Sequence, residues 1–222
     1  SHVISVASAE DSSVTPNDND YDIENTILKG LKKEYLNALS TEQKQNIRIV
    51  IPSVTTKIDN NAFYYTYNTG CRFISLDLSQ AHNLKTIGTH AFDGCTVFRG
   101  SLILPQGLET VGAYAFYNTG FDNILSIPES VTDIGESAFR QSSTYEGFKG
   151  TLKLPSGLKN LGKVAFSNQK GLTEVIFPES LRTLPDSVFK NTGLQGVITI
   201  PETITAVGNG TFSNTDIQTI YL

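Results

Sequence analysis

The sequence predicts an α/β repeat solenoid, with a parallel strand ladder on one face, short helices or turns on the other, and an N-terminal helical cap. Three observations predict it. Phenylalanine recurs at 63, 92, 116, 139, 166, 189 and 212, with spacings of 29, 24, 23, 27, 23 and 23 residues. Proline stands 11 residues before six of these, at 52, 105, 128, 155, 178 and 201. Apolar residues alternate just before the prolines, as in Leu102 and Leu104, Leu125 and Ile127, Leu152 and Leu154, Val175 and Phe177, and Ile198 and Ile200. A fixed period of this length is the mark of a stacked repeat.

Each unit can be built in order. Alternation with period two puts one face of a short strand inward. The proline ends the strand because it has no N–H to give to a ladder. Apolar pairs follow three and six residues later, such as Leu108 and Val111 or Val131 and Ile134. The next position is Gly88, Gly112, Gly135, Gly162 or Gly208, but Asp59 and Pro185 in two units. Proline cannot take a positive φ, so the position is not simply a left-handed turn. Gly, Asp and Pro share the start of a helix, which predicts that Ala115-Phe116 and its equivalents lie on the buried side of a one- or two-turn helix. The unit around Phe92 is irregular: Ser79 replaces the proline and stands 13 residues before the phenylalanine, with the two extra residues near Ala81-His82. One unit buries too little apolar surface to offset the ordering of its own backbone, so the units must stack.

Three regions follow from this. Residues 1–20 read as a polar linker or the remnant of a removed segment, 21–47 as the helical cap, and 48–222 as about seven units of 23–29 residues. The helical expectation rests on Ile27, Leu28, Leu31, Tyr35, Leu36 and Leu39. Ser40-Thr41-Glu42-Gln43 fits a capping box. Asn17-Asp18-Asn19-Asp20 faintly resembles a calcium loop but lacks the turn glycine and the terminal glutamate, so no metal is expected. At the other end Ile217, Ile220 and Leu222 align with Leu172, Val175 and Phe177. The chain therefore stops at the end of a strand, which reads as a truncated array or an edge that meets another chain.

Composition narrows the function classes. Seventeen Lys and Arg against 22 Asp and Glu give a formal charge of −5, and no basic cluster is present. Nucleic acid as partner is disfavoured. No apolar run reaches the length of a membrane span. The chain contains no Met, and Ser1 to Ala7 do not read as a signal peptide, so the sequence looks like a trimmed piece. Cys71 and Cys95 lie 24 residues apart, about one unit, and read as two buried thiols or, less plainly, a disulfide. The histidines His2, His82 and His90 form no metal-spaced or triad pattern. His90 sits at a variable position shared with Tyr114 and Ser137 and is expected at the surface. No catalytic site and no cofactor are expected.

The stretches Leu102-Ile103-Leu104-Pro105, Leu108, Val111-Gly112 and Ala115-Phe116, and Ile87-Gly88-Thr89-His90-Ala91-Phe92-Asp93-Gly94-Cys95, resemble the BspA-like class of bacterial leucine-rich repeats. The resemblance covers about residues 48–222. It implies display at a bacterial cell surface or outside the cell, and adhesion to a host or microbial surface protein or glycan. The cysteine of that pattern survives only as Cys95; Thr66, Thr119, Ser142, Gln169, Thr192 and Thr215 stand elsewhere.

Two surfaces are candidates for binding. One is the outward strand face, carrying Val50, Asp77, Ile103, Ser126, Lys153, Ile176 and Thr199. The other is an aromatic group, Tyr64, Tyr65, Tyr67, Tyr114 and Tyr117, against which stands the plainer reading that the rings pack locally. The insertion at Ser142 to Gly147 is a third. The function expected is a non-catalytic binding or adhesion module; the alternative is a passive spacer carrying other domains.

Overall fold

The computed structural model describes residues 12–65, 68 and 70–222, so His2 and Tyr67 lie outside the described residues. Chain order begins with β1 (Tyr21–Glu24), β2 (Ile27–Leu31), α1 (Lys33–Ala38), α2 (Thr41–Lys44), β3 (Ile47–Val50) and β4 (Lys57–Ile58). It continues with β5 (Phe73–Asp77), β6 (Thr86–Ile87), β7 (Leu102–Ile103), β8 (Thr110–Val111), β9 (Leu125–Ser126) and β10 (Asp133–Ile134). The remainder is β11 (Gly150–Lys153), β12 (Asn160–Leu161), β13 (Leu172–Ile176), β14 (Thr183–Leu184), β15 (Gln195–Thr199), β16 (Ala206–Val207) and β17 (Asp216–Tyr221). These wind into a stack of coils, and each coil contributes one strand to each of two ladders.

The prolines mark the first ladder, which is broken into pairs: β3 with β5, β7 with β9, β11 with β13, and β15 with β17. The apolar pairs after the prolines form the second ladder. It is continuous from β1 and β2 through β4, β6, β8 and β10 to β12, with β14 and β16 as a further pair. A second strand ladder was not expected. Two residues per coil are too few to show a period of two, so the sequence carries no legible strand signal there.

Between the ladders runs the core. The seven phenylalanines form one column, with neighbouring ring centroids 5.3, 5.3, 5.5, 5.4, 5.7 and 5.9 Å apart and planes within 13° of parallel. Leu108, Val131, Leu158 and Leu181 fill the corner after each proline, all buried.

The helix expected at Ala115-Phe116 and its equivalents is absent: these residues lie in turns. The reason is one backbone position. Asn61, His90, Tyr114, Ser137, Val164, Ser187 and Gly210 all have φ between 51° and 65°, a left-handed conformation that no α-helix continues through. The preceding glycine serves a different purpose. A Cβ at Gly112 would lie 2.7 Å from the Gly88 carbonyl carbon, and one at Gly135 2.4 Å from the Ala113 nitrogen. Glycine is there because adjacent coils touch through their backbones.

The helical cap is also corrected. Ile27, Leu28 and Leu31 lie in β2, the second strand of an antiparallel hairpin closed by Asn25 and Thr26, at φ 50° and 66°. Two consecutive left-handed residues give the tight turn that fits strand twist. The physical reason is the ladder itself: β4 needs hydrogen-bond partners on its outer edge, and β2 supplies them in parallel register. Among the described residues only α1 and α2 are α-helical, six and four residues long. Ser40 and Gln43 do form the capping box. In the acidic segment, Asn17 and Asp20 cap a single 3-10 turn, and Val14 bridges to Ile47.

Candidate functional site

The outward strand face is a single column. Register pairs Val50 with Asp77, Ile103 with Ser126, Lys153 with Ile176, and Thr199 with Tyr221. Asp77, Ile103, Lys153, Ile176 and Thr199 are exposed, while Val50 and Ser126 are half-buried. Ile103 and Ile176 keep 57% and 47% of their surface in solvent, and Ile124 and Val197 beside them keep 53% and 59%. Strand alternation produces this: the neighbours Leu102, Leu104, Val175 and Phe177 point inward.

Where the ladder is broken the face is grooved. Between β5 and β7 lies a cleft of about 490 Å³, walled by Leu76, Asp77, Leu78, His82, Ile103 and Gln106 among others. A second, of about 320 Å³, lies between β9 and β11 beside Ser126, Glu129 and Lys153. There the Glu129 carboxylate accepts from Lys153 Nζ at 2.6 Å and from the Ser156 backbone N–H at 2.7 Å. Those two donors hold its pKa down to about 2. Asp77 Oδ1 accepts from the Ser79 N–H at 2.8 Å.

The aromatic residues form a second column. Tyr64 stacks on His90 at 5.2 Å, and His90 on Tyr114 at 4.8 Å. Tyr65 meets Tyr64 edge-on, Tyr117 meets Tyr114 likewise, and the Arg140 guanidinium lies 5.8 Å over the Tyr117 ring. These described rings therefore pack locally, on one another. Their faces are spent on that stacking, and their edges reach solvent. His90 Nδ1 lies 2.6 Å from the buried Asp93 carboxylate, whose pKa burial pushes up against the opposing pull of His90.

The inserted loop at 142–147 is tied down. Lys170 Nζ donates to the Ser143 carbonyl, and the Gly171 N–H to that of Glu146. Buried Gln169 donates to the Phe139 carbonyl and accepts from the Phe148 N–H. Cys71 and Cys95 are both free thiols, and burial raises the pKa of each. Thr119, Thr192 and Thr215, which take the place of Cys95 in other coils, donate to the carbonyl of the phenylalanine three residues back. Among the described residues no group of three His, Cys, Asp or Glu is placed to share a metal ion, and no helix is long and apolar enough to cross a membrane.

Sequence reasoning picked out the strand column but not the groove. The signal was Ser79 in place of proline together with the two extra residues, in the coil whose β5 pairs with β3 and not with β7.

The BspA type leucine-rich repeat region matches residues 56–150 and 125–222, in six copies. The chain belongs to this family. Three solved bacterial structures are similar to this BspA-type chain. A leucine-rich cell surface protein of Faecalibacterium prausnitzii shares 22% identity over 92% of this chain and 54% of its own, with a TM-score of 0.68. The T. pallidum leucine-rich repeat protein shares 21% over 93% of this chain and 86% of its own, with a TM-score of 0.60. A leucine-rich repeat protein of Bacteroides ovatus shares 25% over 90% and 62%, with a TM-score of 0.53. The BspA-type chain thus spans about half the length of the Faecalibacterium protein. No curated protein is similar enough in sequence to count as a relative.

Proposed function

We propose that this BspA-type chain is a non-catalytic adhesion or binding module of a bacterial cell surface, engaging a host or microbial surface partner through the outward strand face. One observation carries the reading: Ile103, Ile124, Ile176 and Val197 stand exposed on one side of the proline-marked strands, with Lys153 between them and Asp77 on the strand before Ile103. Exposed apolar groups set among charges suit a partner surface, since the core of a patch supplies burial and its rim supplies orientation. The cell-surface setting is supported by the likeness to the Faecalibacterium protein, which is a leucine-rich cell surface protein. The tyrosine column is the weaker surface, because its ring faces are already covered by one another.

The test is a binding screen of the purified chain against host matrix proteins, bacterial surface proteins and glycan arrays. Lys153→Glu with Ile176→Glu, and separately Ile103→Glu, are run alongside. Binding that the variants lose establishes the function and its face. A wild-type chain that binds nothing is instead a spacer, and binding untouched by all three substitutions removes the strand face from consideration.

A further inference from the structure

The groove between β5 and β7 differs from the rest of the strand face. Leu76 occupies the register position of Ile49, an inward core site. Ile49, Leu102, Leu125, Leu152, Val175 and Ile198 are all buried at such sites, but Leu76 is only half-buried. The coils that carry β5 and β7 touch on the opposite side, where β6 pairs with β8 and Phe92 stacks on Phe116 at 5.3 Å. They splay on this side, where the irregular unit lacks its proline. A leucine at a core register position therefore faces the gap between the two coils.

We infer that this groove receives an extended peptide segment of a partner protein, in which an aliphatic side chain stands beside a lysine or arginine. The inference rests on the strand face being the binding surface. Three features select that occupant.

Leu76, Leu78, Leu102, Ile103, Leu104 and Pro105 make the walls aliphatic. No Phe, Tyr or Trp lines the groove, and a sugar ring would want such a flat apolar face. Asp77 is the sole carboxylate among the lining side chains, and no Lys or Arg lines it. A cation beside the inserted aliphatic group would meet it at the rim, in a chain whose formal charge is already −5.

The third feature is the backbone. The Ile51 N–H donates to the Asp77 carbonyl, so residue parity turns the Leu76 N–H and C=O away from β3 and toward the groove. Likewise the Leu102 and Leu104 N–H groups donate to Ile124 and Ser126, which turns those of Ile103 toward β5. Both walls thus offer strand-edge groups to an extended chain, the pairing by which sheet edges take up peptides.

A random display library of short linear peptides is panned on the wild-type chain and on Asp77→Lys. Enriched sequences are then synthesised and titrated against wild type, Asp77→Asn, Ile103→Glu, and Lys153→Glu with Ile176→Glu. The expected result is enrichment of Lys or Arg next to Val, Ile or Leu on wild type, replaced by Asp or Glu on Asp77→Lys. Affinity falls ~10-fold or more in Ile103→Glu and by less in Asp77→Asn, and is unchanged by the distant pair. Asp77 and Ile103 are exposed, so matching thermal melts verify the fold. No enrichment, or peptides whose affinity ignores Asp77 and Ile103, overturns the groove as a peptide site. If partners found in the broader screen still lose binding in the Lys153→Glu, Ile176→Glu variant, the strand face stands without the groove. If they do not, both readings fall.

Discussion

At the residue scale, each coil turns on a left-handed position that only some side chains tolerate well. Val164 has φ 51°, where a β-branched side chain is strained. Val164→Asn should therefore raise stability by about 1 kcal/mol, read as an increase in Tm. The glycine two residues earlier obeys the opposite constraint. A Cβ at Gly162 would lie 2.2 Å from the Glu136 nitrogen, so Gly162→Ala should lower stability by ~2 kcal/mol or more through displaced backbone. Tyr21 sets an alkaline limit. Burial raises its pKa to about 12 from an ordinary 10, and its hydroxyl accepts from the Val50 N–H at 3.0 Å. Folded Tyr21 keeps its proton after the unfolded chain has lost it. Its contribution is whole below pH 10 and falls away as pH rises from 10 toward 12. Denaturant melts across that window should show the loss, and Tyr21→Phe should flatten it while costing about 1 kcal/mol at neutral pH.

At the element scale, columns running along the axis join the coils. Beside the phenylalanines is a ladder of asparagines: Asn214 Nδ2 donates to Asn191 Oδ1, and Asn191 Nδ2 to Asn168 Oδ1, each at 2.7 Å. Asn168 Nδ2 in turn donates to the Gln141 carbonyl at 2.8 Å. Asn191 takes part in two of these bonds and Asn214 in one. Asn191→Ala should cost ~2 kcal/mol and Asn214→Ala about half that, by equilibrium unfolding. The asparagines at 118, 168, 191 and 214 also hold left-handed backbone, at φ 51° to 64°, which asparagine tolerates better than most residues. One residue type thus serves the turn and the ladder together.

On the scale of the whole molecule, the two ends differ. The hairpin of β1 and β2 covers the first coil, and Tyr21 and Leu28 are buried there. At the other end Phe212 is half-buried, and Val207, Ile220 and Tyr221 are exposed. In a linear stack each coil is held by its neighbours alone, so the less covered end should open first. Hydrogen exchange should show the amides of β16 and β17 exchanging before those of β8 and β10. Phe139→Ala, in the middle of the column, should cost ~3–5 kcal/mol, against less for Phe212→Ala.

The sequence by itself determined the solenoid, the number of coils, the strands before the prolines and the residues of the outward column. All of these follow from periodic burial, which a regular spacing records directly. It misled at the cap, where Ile27, Leu28 and Leu31 fit a helical spacing but β4 required a strand beside it. It misled again at Ala115-Phe116, where glycine and proline resemble a helix start but the next residue turns left-handed. Only the tertiary structure decided the second ladder, the stacking of Tyr64, His90 and Tyr114, and the groove at Leu76. Each of these depends on which residues of neighbouring coils come to lie side by side, and that is set by how the coils stack rather than by spacing within any one of them.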